Sequence, residues 1–500
     1  MTVKKIGFAL VLLPIFFLLQ NDNQVIGFIK VNQMIKYAIA IYLLMAFGYL
    51  ALRRFNLNSA KSALILFISG FVFLFFSPIY EFFWSVALKI RVVSFWVIFP
   101  ILMLFLAMLI RKVLQVEKVS EKLATLLAVT MSVLLVSSIV TFYINNTRKH
   151  KDLNLIYPPK TISKNYIPQN NPDSSKPDIY FLLFDEYTNS QTLKKVWGYN
   201  NVGITDWLSQ KGFYIVDSSR TNYNFTLFSL SSIFNLNYLD PSKGQDGTNE
   251  QNVIKASCSL SDNELFSILE KDNYAIHFLA PFQNRIEENN LGNYFDFLTD
   301  EQLYRQTILG NLENRFIWDI KGSRFYKPDA EKPYAELTEK LKLVKRTITE
   351  IKNTTDSNAN RKPQFVYGHL MIAHIPHVFN QAGQVMTEKE VFGATPFQTY
   401  TAQVAYANQV IRDLVGYIHT HNKKNTIIII EGDHGFRHFS PELMPVYSFP
   451  NFSAIYFPDK NYGLLNQHLS PVNLFRVVLG QYFGIQLPLL KDSSIEVKDE

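Results

Sequence analysis

"NTIIIIEGDHGFRH" (residues 425–438) is the stretch on which the reading of this chain turns. Four consecutive isoleucines show neither polar alternation nor a helical period, which predicts a short strand buried on both faces. The run ends at Glu431-Gly432-Asp433-His434-Gly435, where a carboxylate and an imidazole stand side by side at a turn. Both are ligand types for a divalent metal. An Asp after a strand is more often a turn former or helix cap, and a lone His is more often structural. The pair gains meaning only where other strands end in the same way.

Two others do. "DIYFLLF" (178–184) runs from Pro177 into Asp185-Glu186, and "QFVYGHLM" (364–371) carries His369, with His374 and His377 just behind. Further strands are predicted in "GFYIVDSS" (212–219), "YAIHFLA" (274–280) and "FSAIYF" (452–457). Helical patterns lie between them, at 190–197, 204–211, 335–352 and 399–420. In the last, Val404, Ala407, Ile411, Leu414 and Ile418 share a face. Strands alternating with helices predict an α/β domain with a largely parallel central sheet. Ligands of such sheets bind beyond the carboxyl ends of the strands. Carboxylates and imidazoles at three such ends converge on one rim. Oxygen and nitrogen together suit zinc or manganese, and an all-oxygen subset suits calcium or magnesium.

A reacting group is needed beside such a metal. "TLFSLSSIFN" (226–235) begins what reads as a helix, with Leu227, Leu230 and Ile233 inward. A threonine there has its hydroxyl near unpaired N–H groups and the positive end of the helix dipole, a natural cradle for phosphate. The plainer reading of Thr226 is an N-cap.

The first third of the chain is different in kind. Five apolar runs occupy Ile6–Gln20, Ile35–Leu52, Ala63–Trp84, Val92–Ile110 and Leu123–Ile144, and four approach or exceed the ~20 residues that span a bilayer. The first follows Lys4-Lys5 without a small-residue cleavage site, so it reads as a retained helix. If every run crosses, Lys4, Lys5, Arg53, Arg54, Lys61, Arg111, Lys112, Lys118 and Lys122 share one side. That side is expected to be cytoplasmic, which puts everything after Ile144 outside. The expected layout is a transmembrane domain of about five helices at 1–145, a Pro-rich linker at 146–177 and an extracytoplasmic catalytic domain at 178–500. Pro158, Pro159, Pro168 and Pro172 make the linker a semi-rigid spacer rather than a packed element.

The 500 residues and the split in polarity require more than one domain. A net charge of +7 invites a nucleic-acid reading, but no basic arm with interleaved aromatics is present, so no nucleic-acid partner is expected. The single cysteine, Cys258, permits no internal disulfide.

The strand into Asp185-Glu186, the helix start at Thr226 and the strand into Gly-Asp-His-Gly come in one order, and together the chain resembles the sulfatase-like branch of the alkaline-phosphatase superfamily. The membrane anchor is similar to that of lipoteichoic-acid synthases and lipid A phosphoethanolamine transferases. The resemblance covers roughly 178–485 and implies an alkaline-phosphatase/sulfatase-like fold. It implies Thr226 as nucleophile, at the position formylglycine holds in true sulfatases. It further implies a divalent metal on Asp185 or Glu186, Asp433, His434 and Thr226, with His374 beside the substrate phosphate. His369, His377 and His438 are candidates for substrate or secondary metal contacts. No Cys/Ser-x-Pro-x-Arg motif is present, which argues against a formylglycine sulfatase. The expected activity is a membrane-anchored phospho-group transfer from a lipid-derived phosphodiester to an envelope glycan or lipid, at a bacterial-type cytoplasmic membrane. The alternatives are a tethered phosphatase, phosphodiesterase or sulfatase-like hydrolase, and a non-catalytic envelope sensor or scaffold.

Overall fold

The computed structural model describes residues 1–24, 29, 31–89, 95–148, 160–168, 172, 173, 175–239, 250–261, 263–281, 302–313, 337–356, 362–422, 425–440 and 442–497. The chain forms two compact units.

The first unit contains α1 (Thr2–Gln24), α2 (Val31–Arg54), α3 (Ser59–Leu74), α4 (Phe76–Lys89), α5 (Phe95–Gln115) and α6 (Glu121–Arg148). Among the described residues, α1, α2, α5 and the 121–145 part of α6 are long and apolar enough to cross a membrane. The α2 stripe Ile35, Ile39, Leu43 and Phe47 is exposed, a face suited to lipid rather than water. The third apolar run is not one straight helix, because α3 and α4 meet at a 67° bend. The cause lies in Pro78, whose ring has no N–H for the carbonyl of Leu74 and would clash with it in a continuous helix. The bend is held from later in the chain. Ser77 N–H donates to the carbonyl of Gln306 at 3.1 Å, and Asn311 Nδ2 donates to Ser77 Oγ at 2.8 Å. Ile308 and Leu312 pack beside Phe76, Tyr80 and Phe95. Residues 302–313, within the stretch expected to be catalytic, thus pack with the helical unit.

The second unit is built on a six-stranded sheet of order β2-β6-β5-β1-β4-β3. Its strands are β1 (Asp178–Phe184), β2 (Tyr214–Ile215), β3 (Ala275–Leu279), β4 (Gln364–Leu370), β5 (Thr426–Glu431) and β6 (Ser453–Tyr456). β5, β1, β4 and β3 run parallel, while β6 and β2 add antiparallel pairings. Every residue of β1, β4 and β5 is buried, which is why none alternates in polarity. Tyr180, Leu182, Ile428 and Ile430 pack on one face against the helices Leu337–Asp356 and Pro396–His421. Ile179, Phe181, Ile427 and Ile429 pack on the other, against Thr226–Asn235, Glu264–Lys271 and Pro471–Tyr482. Each such fully buried side chain contributes roughly 1.5–3 kcal/mol of burial.

Register decides where the site lies. Leu183 pairs with His369 on one side and Glu431 on the other, so β4, β1 and β5 end level with one another. The residues that follow emerge along a single edge.

The stretch expected as a spacer is in part a packed element. Residues 162–165 form a helical turn whose Thr161, Ile162 and Ser163 N–H groups donate to the carboxylate of Glu264 at 2.7–3.1 Å. Tyr166 donates to Asp272 at 2.5 Å. A carboxylate accepting three N–H bonds at this helix start takes the place of the capping bond that the N-cap residue Thr161 does not make. Residues 149–159 lie outside the described residues.

Candidate active site

Asp185, Asp433 and His434, all buried, bring one ligand atom each to within 4.8 Å of one another. Glu186 stands beside them with a φ of +61°, a left-handed conformation that costs a non-glycine residue energy. Neighbours hold it there. Its N–H donates to Asp433 Oδ1 at 2.9 Å, its carbonyl accepts from Tyr400 OH at 2.6 Å, and its Oε1 accepts from Arg437 N–H at 2.7 Å. Gly432 and Gly435 are required by close approach, since a Cβ on either would run into a backbone carbonyl, of Tyr187 and of Tyr447 respectively.

Three carboxylate oxygens here, Asp185 Oδ1, Glu186 Oε2 and Asp433 Oδ2, are buried without a hydrogen-bond partner. Such atoms each cost about 1–3 kcal/mol unless something completes them. Burial pushes the Asp433 carboxyl up, and the neighbouring Asp185 pushes it further, against the pull of His434. Burial would raise Asp185 too, but the imidazoles of His374, His369 and His434 outweigh it and hold that carboxyl below the usual range. Glu186 is likewise carried down to about 2, with His438 chief among the groups opposing its burial. Two adjacent carboxyls driven apart in this way describe a site short of positive charge. His434 is set to supply a lone pair. Its Nδ1 lies 2.8 Å from the Gly435 carbonyl, so Nδ1–H donates there and leaves Nε2 with a lone pair on the side of the cluster. Orphaned oxygens and an Nε2 lone pair fit a divalent cation.

Thr226 is the first residue of its helix, with the extended Phe225 as cap residue and no side-chain capping bond. Its hydroxyl is therefore not spent as an N-cap. Its Oγ1 lies 3.3 Å from His434 Nε2. The apolar face through Leu230, Ile233 and Phe234 pins the helix against the sheet.

The histidines of β4 are used differently. His369 Nε2 donates to Asp185 Oδ2 at 2.9 Å, and its Nδ1 accepts from Tyr367 OH at 2.7 Å. His374 is half-buried, and its Nδ1 bonds the carbonyl of Ile375. Burial lowers its pKa, while Asp185 and Glu186 draw it back up. His377 is not brought to the cluster. Its Nδ1 meets Thr399 Oγ1 at 2.6 Å and its Nε2 the carbonyl of Ala373 at 3.1 Å. His438 is exposed and reaches Glu186 Oε1 with Nε2 at 3.2 Å.

Several residues near the site carry no motif. Glu431 takes bonds from Asn451 Nδ2 and Ser453 Oγ, and burial pushes its carboxyl up to about 8. It braces the turn rather than facing the cluster. Tyr367, Tyr400 and Lys340 were equally unannounced. Lys340 left one signal, a charged residue on the apolar stripe of Leu343, Val344, Thr347 and Ile351.

This edge, with carboxylates and imidazole beneath a hydroxyl-bearing helix start, defines an enzyme of the alkaline-phosphatase superfamily. Within it the chain belongs to the sulfatase family, whose model matches residues 202–477, more than half of the sequence. No curated protein matches the chain. Among solved structures it is similar to the integral-membrane lipooligosaccharide phosphoethanolamine transferase A from Neisseria meningitidis, at 14% identity and a TM-score of 0.40, covering 88% of this chain and 95% of that one. It is similar to the C-terminal periplasmic domain of EptC from Escherichia coli in complex with Zn, at 11% identity and a TM-score of 0.38, covering 66% and 92%. A Bacteroides thetaiotaomicron protein of glycosaminoglycan metabolism matches at 13% identity and a TM-score of 0.40, covering 62% and 73%.

Proposed function

We propose that the chain is a membrane-anchored phospho-group transferase in which Thr226 is the nucleophile. The observation that carries this reading is the hydroxyl of Thr226 at a helix start, not spent on a cap and 3.3 Å from His434 Nε2, a member of the Asp185-Asp433-His434 cluster. Asp185, Glu186, Asp433, His434 and Thr226 would hold a divalent ion, with zinc or manganese favoured by the mixed oxygen and nitrogen donors. When bound, that ion supplies Lewis acidity that lowers the pKa of the hydroxyl and offsets charge on the transferred group.

The chain's own residues do the rest. Thr226 Oγ forms a bond to phosphorus while the bond to the leaving alcohol oxygen breaks. The N–H groups of the helix start face the anionic oxygens of the transferred group. With Nδ1–H given to Ile375, the neutral His374 ring presents Nε2 as a proton shuttle: it takes the Thr226 hydroxyl proton and gives it to the leaving oxygen in the first half, then takes the incoming hydroxyl's proton and returns it to Thr226 Oγ in the second. An acceptor alcohol then displaces Thr226 and restores its hydroxyl; with water in that place the same residues form a hydrolase.

Four helices among the described residues that are long and apolar enough to cross a membrane support a membrane-anchored chain. The Lys and Arg distribution favours an extracytoplasmic side, at the cytoplasmic membrane of a bacterial-type envelope. A lipid phosphodiester is the donor such an anchor favours, and an envelope glycan or lipid the acceptor. Purified protein incubated with lipid extract should carry a mass adduct on Thr226 that T226A lacks. Full turnover by T226A would sink the mechanism.

A further inference from the structure

Lys340 lies on the helix Leu337–Asp356 and is completely buried. Burying an ammonium is costly unless it is paired and hydrogen-bonded. The lysine stands there nonetheless, one turn ahead of Leu343 and Val344 on the stripe that packs against the sheet.

Its partners explain the placement. Nζ donates to the carbonyl of His374 and, at 2.8 Å, to that of Pro376. The carbonyl between them, of Ile375, accepts from the His374 ring itself. Three successive carbonyls of one turn are thus engaged, two by Lys340 and one by the imidazole. The ammonium also feels Asp185 and Glu186, so its charge is directed at the same edge as the cluster. Burial nevertheless carries its pKa down to about 7. Two neutral carbonyls do not balance a buried charge, and the site's carboxylates do so only through space.

We propose that Lys340 is a positioning residue for group transfer, holding the 374–376 turn so that His374 Nε2 is aimed at the transferred group. This rests on the role assigned to His374 above. Lys340 touches neither the cluster atoms nor, on this reading, the substrate, and acts through the backbone of the turn.

The test is a double-mutant cycle on the full chain in detergent micelles. The variants are K340M, H374A and the double variant, and the probes are bis(p-nitrophenyl) phosphate, p-nitrophenyl phosphate and p-nitrophenyl sulfate with Zn²⁺ or Mn²⁺ supplied. K340M should lose about 100-fold in kcat, the scale of a misplaced catalytic group, with KM within about threefold of wild type. The double variant should be no worse than H374A, because the two changes remove one function. Zinc affinity, read by chelator competition, should be unchanged in K340M. If K340M fails to melt cooperatively, the cycle is run with K340Q, which keeps amide donors for the carbonyls. The inference is overturned if H374A is impaired while the lysine variant turns over normally, if the two losses multiply, or if the lysine variant loses zinc. An unimpaired H374A, or a wild type that turns over no probe, overturns the parent reading instead.

Discussion

The ends of β1 and β5 and the end of β4 open on one edge of one sheet, yet they treat their polar atoms in opposite ways. At β1 and β5, Asp185 Oδ1, Glu186 Oε2 and Asp433 Oδ2 are buried and unpartnered. At β4, both ring nitrogens of His369 and of His377 are bonded to protein. Residue type alone makes histidine and aspartate equal candidates for a metal. Satisfaction separates them: a ligand completes atoms that the fold has left incomplete, and a bonded imidazole is support. His369 and His377 thus read as scaffolding for the β1 and β5 ends.

The sharpest break of that contrast is at Thr226 and its neighbours. T226A should lower turnover by about 10³-fold or more while zinc content stays near wild type, measured by steady-state kinetics and elemental analysis. D433N should follow closely, with turnover down about 10³-fold and zinc lost on dialysis, because it removes an orphaned oxygen rather than a satisfied one. His369→Gln should cost less, about 10–100-fold in zinc affinity, since its Nε2–H fixes Asp185 Oδ2 and leaves Oδ1 for the ion. A loss equal to that of D433N would make His369 a ligand and erase the distinction between the strand ends.

The sequence carried the sheet further than the site. All six strands were legible; β1, β4 and β5 in particular are short runs buried on both faces, with turn-forming residues at their ends. The order of Asp185-Glu186, Thr226 and Asp433-His434 was legible because strand ends and helix starts are local features. The bend at Phe75 was hidden in a continuous apolar run, though Pro78 marked it. The packing of residues 160–168 was hidden because their cap, Glu264, lies about a hundred residues away. The tasks of the histidines were hidden for the same reason. His369 is defined by Tyr367 and Asp185, and His377 by Thr399, and no spacing rule joins such pairs across strands and helices.

The smallest effect tests the β4 end from the other direction. Burial, and then the nearby charge of Lys340, lower the pKa of His377 from 6.5 to about 3. Unfolded, the ring takes a proton as pH falls through 6.5; folded, it stays neutral until about 3. Between those values the unfolded state binds the extra proton, so the stability held above 6.5 is lost as pH falls. By pH 5 the loss from this one group is about 2 kcal/mol. His377→Gln should therefore melt slightly below wild type at pH 7.5, where the bonds to Thr399 and Ala373 matter. The gap should narrow or reverse at pH 5, where the variant has no proton to gain on unfolding. Turnover at pH 7.5 should stay within about threefold of wild type, since both ring nitrogens are committed to the scaffold. A tenfold loss of turnover with an unchanged melting profile would place His377 in the site, and the division between completed and incomplete atoms would not hold at β4.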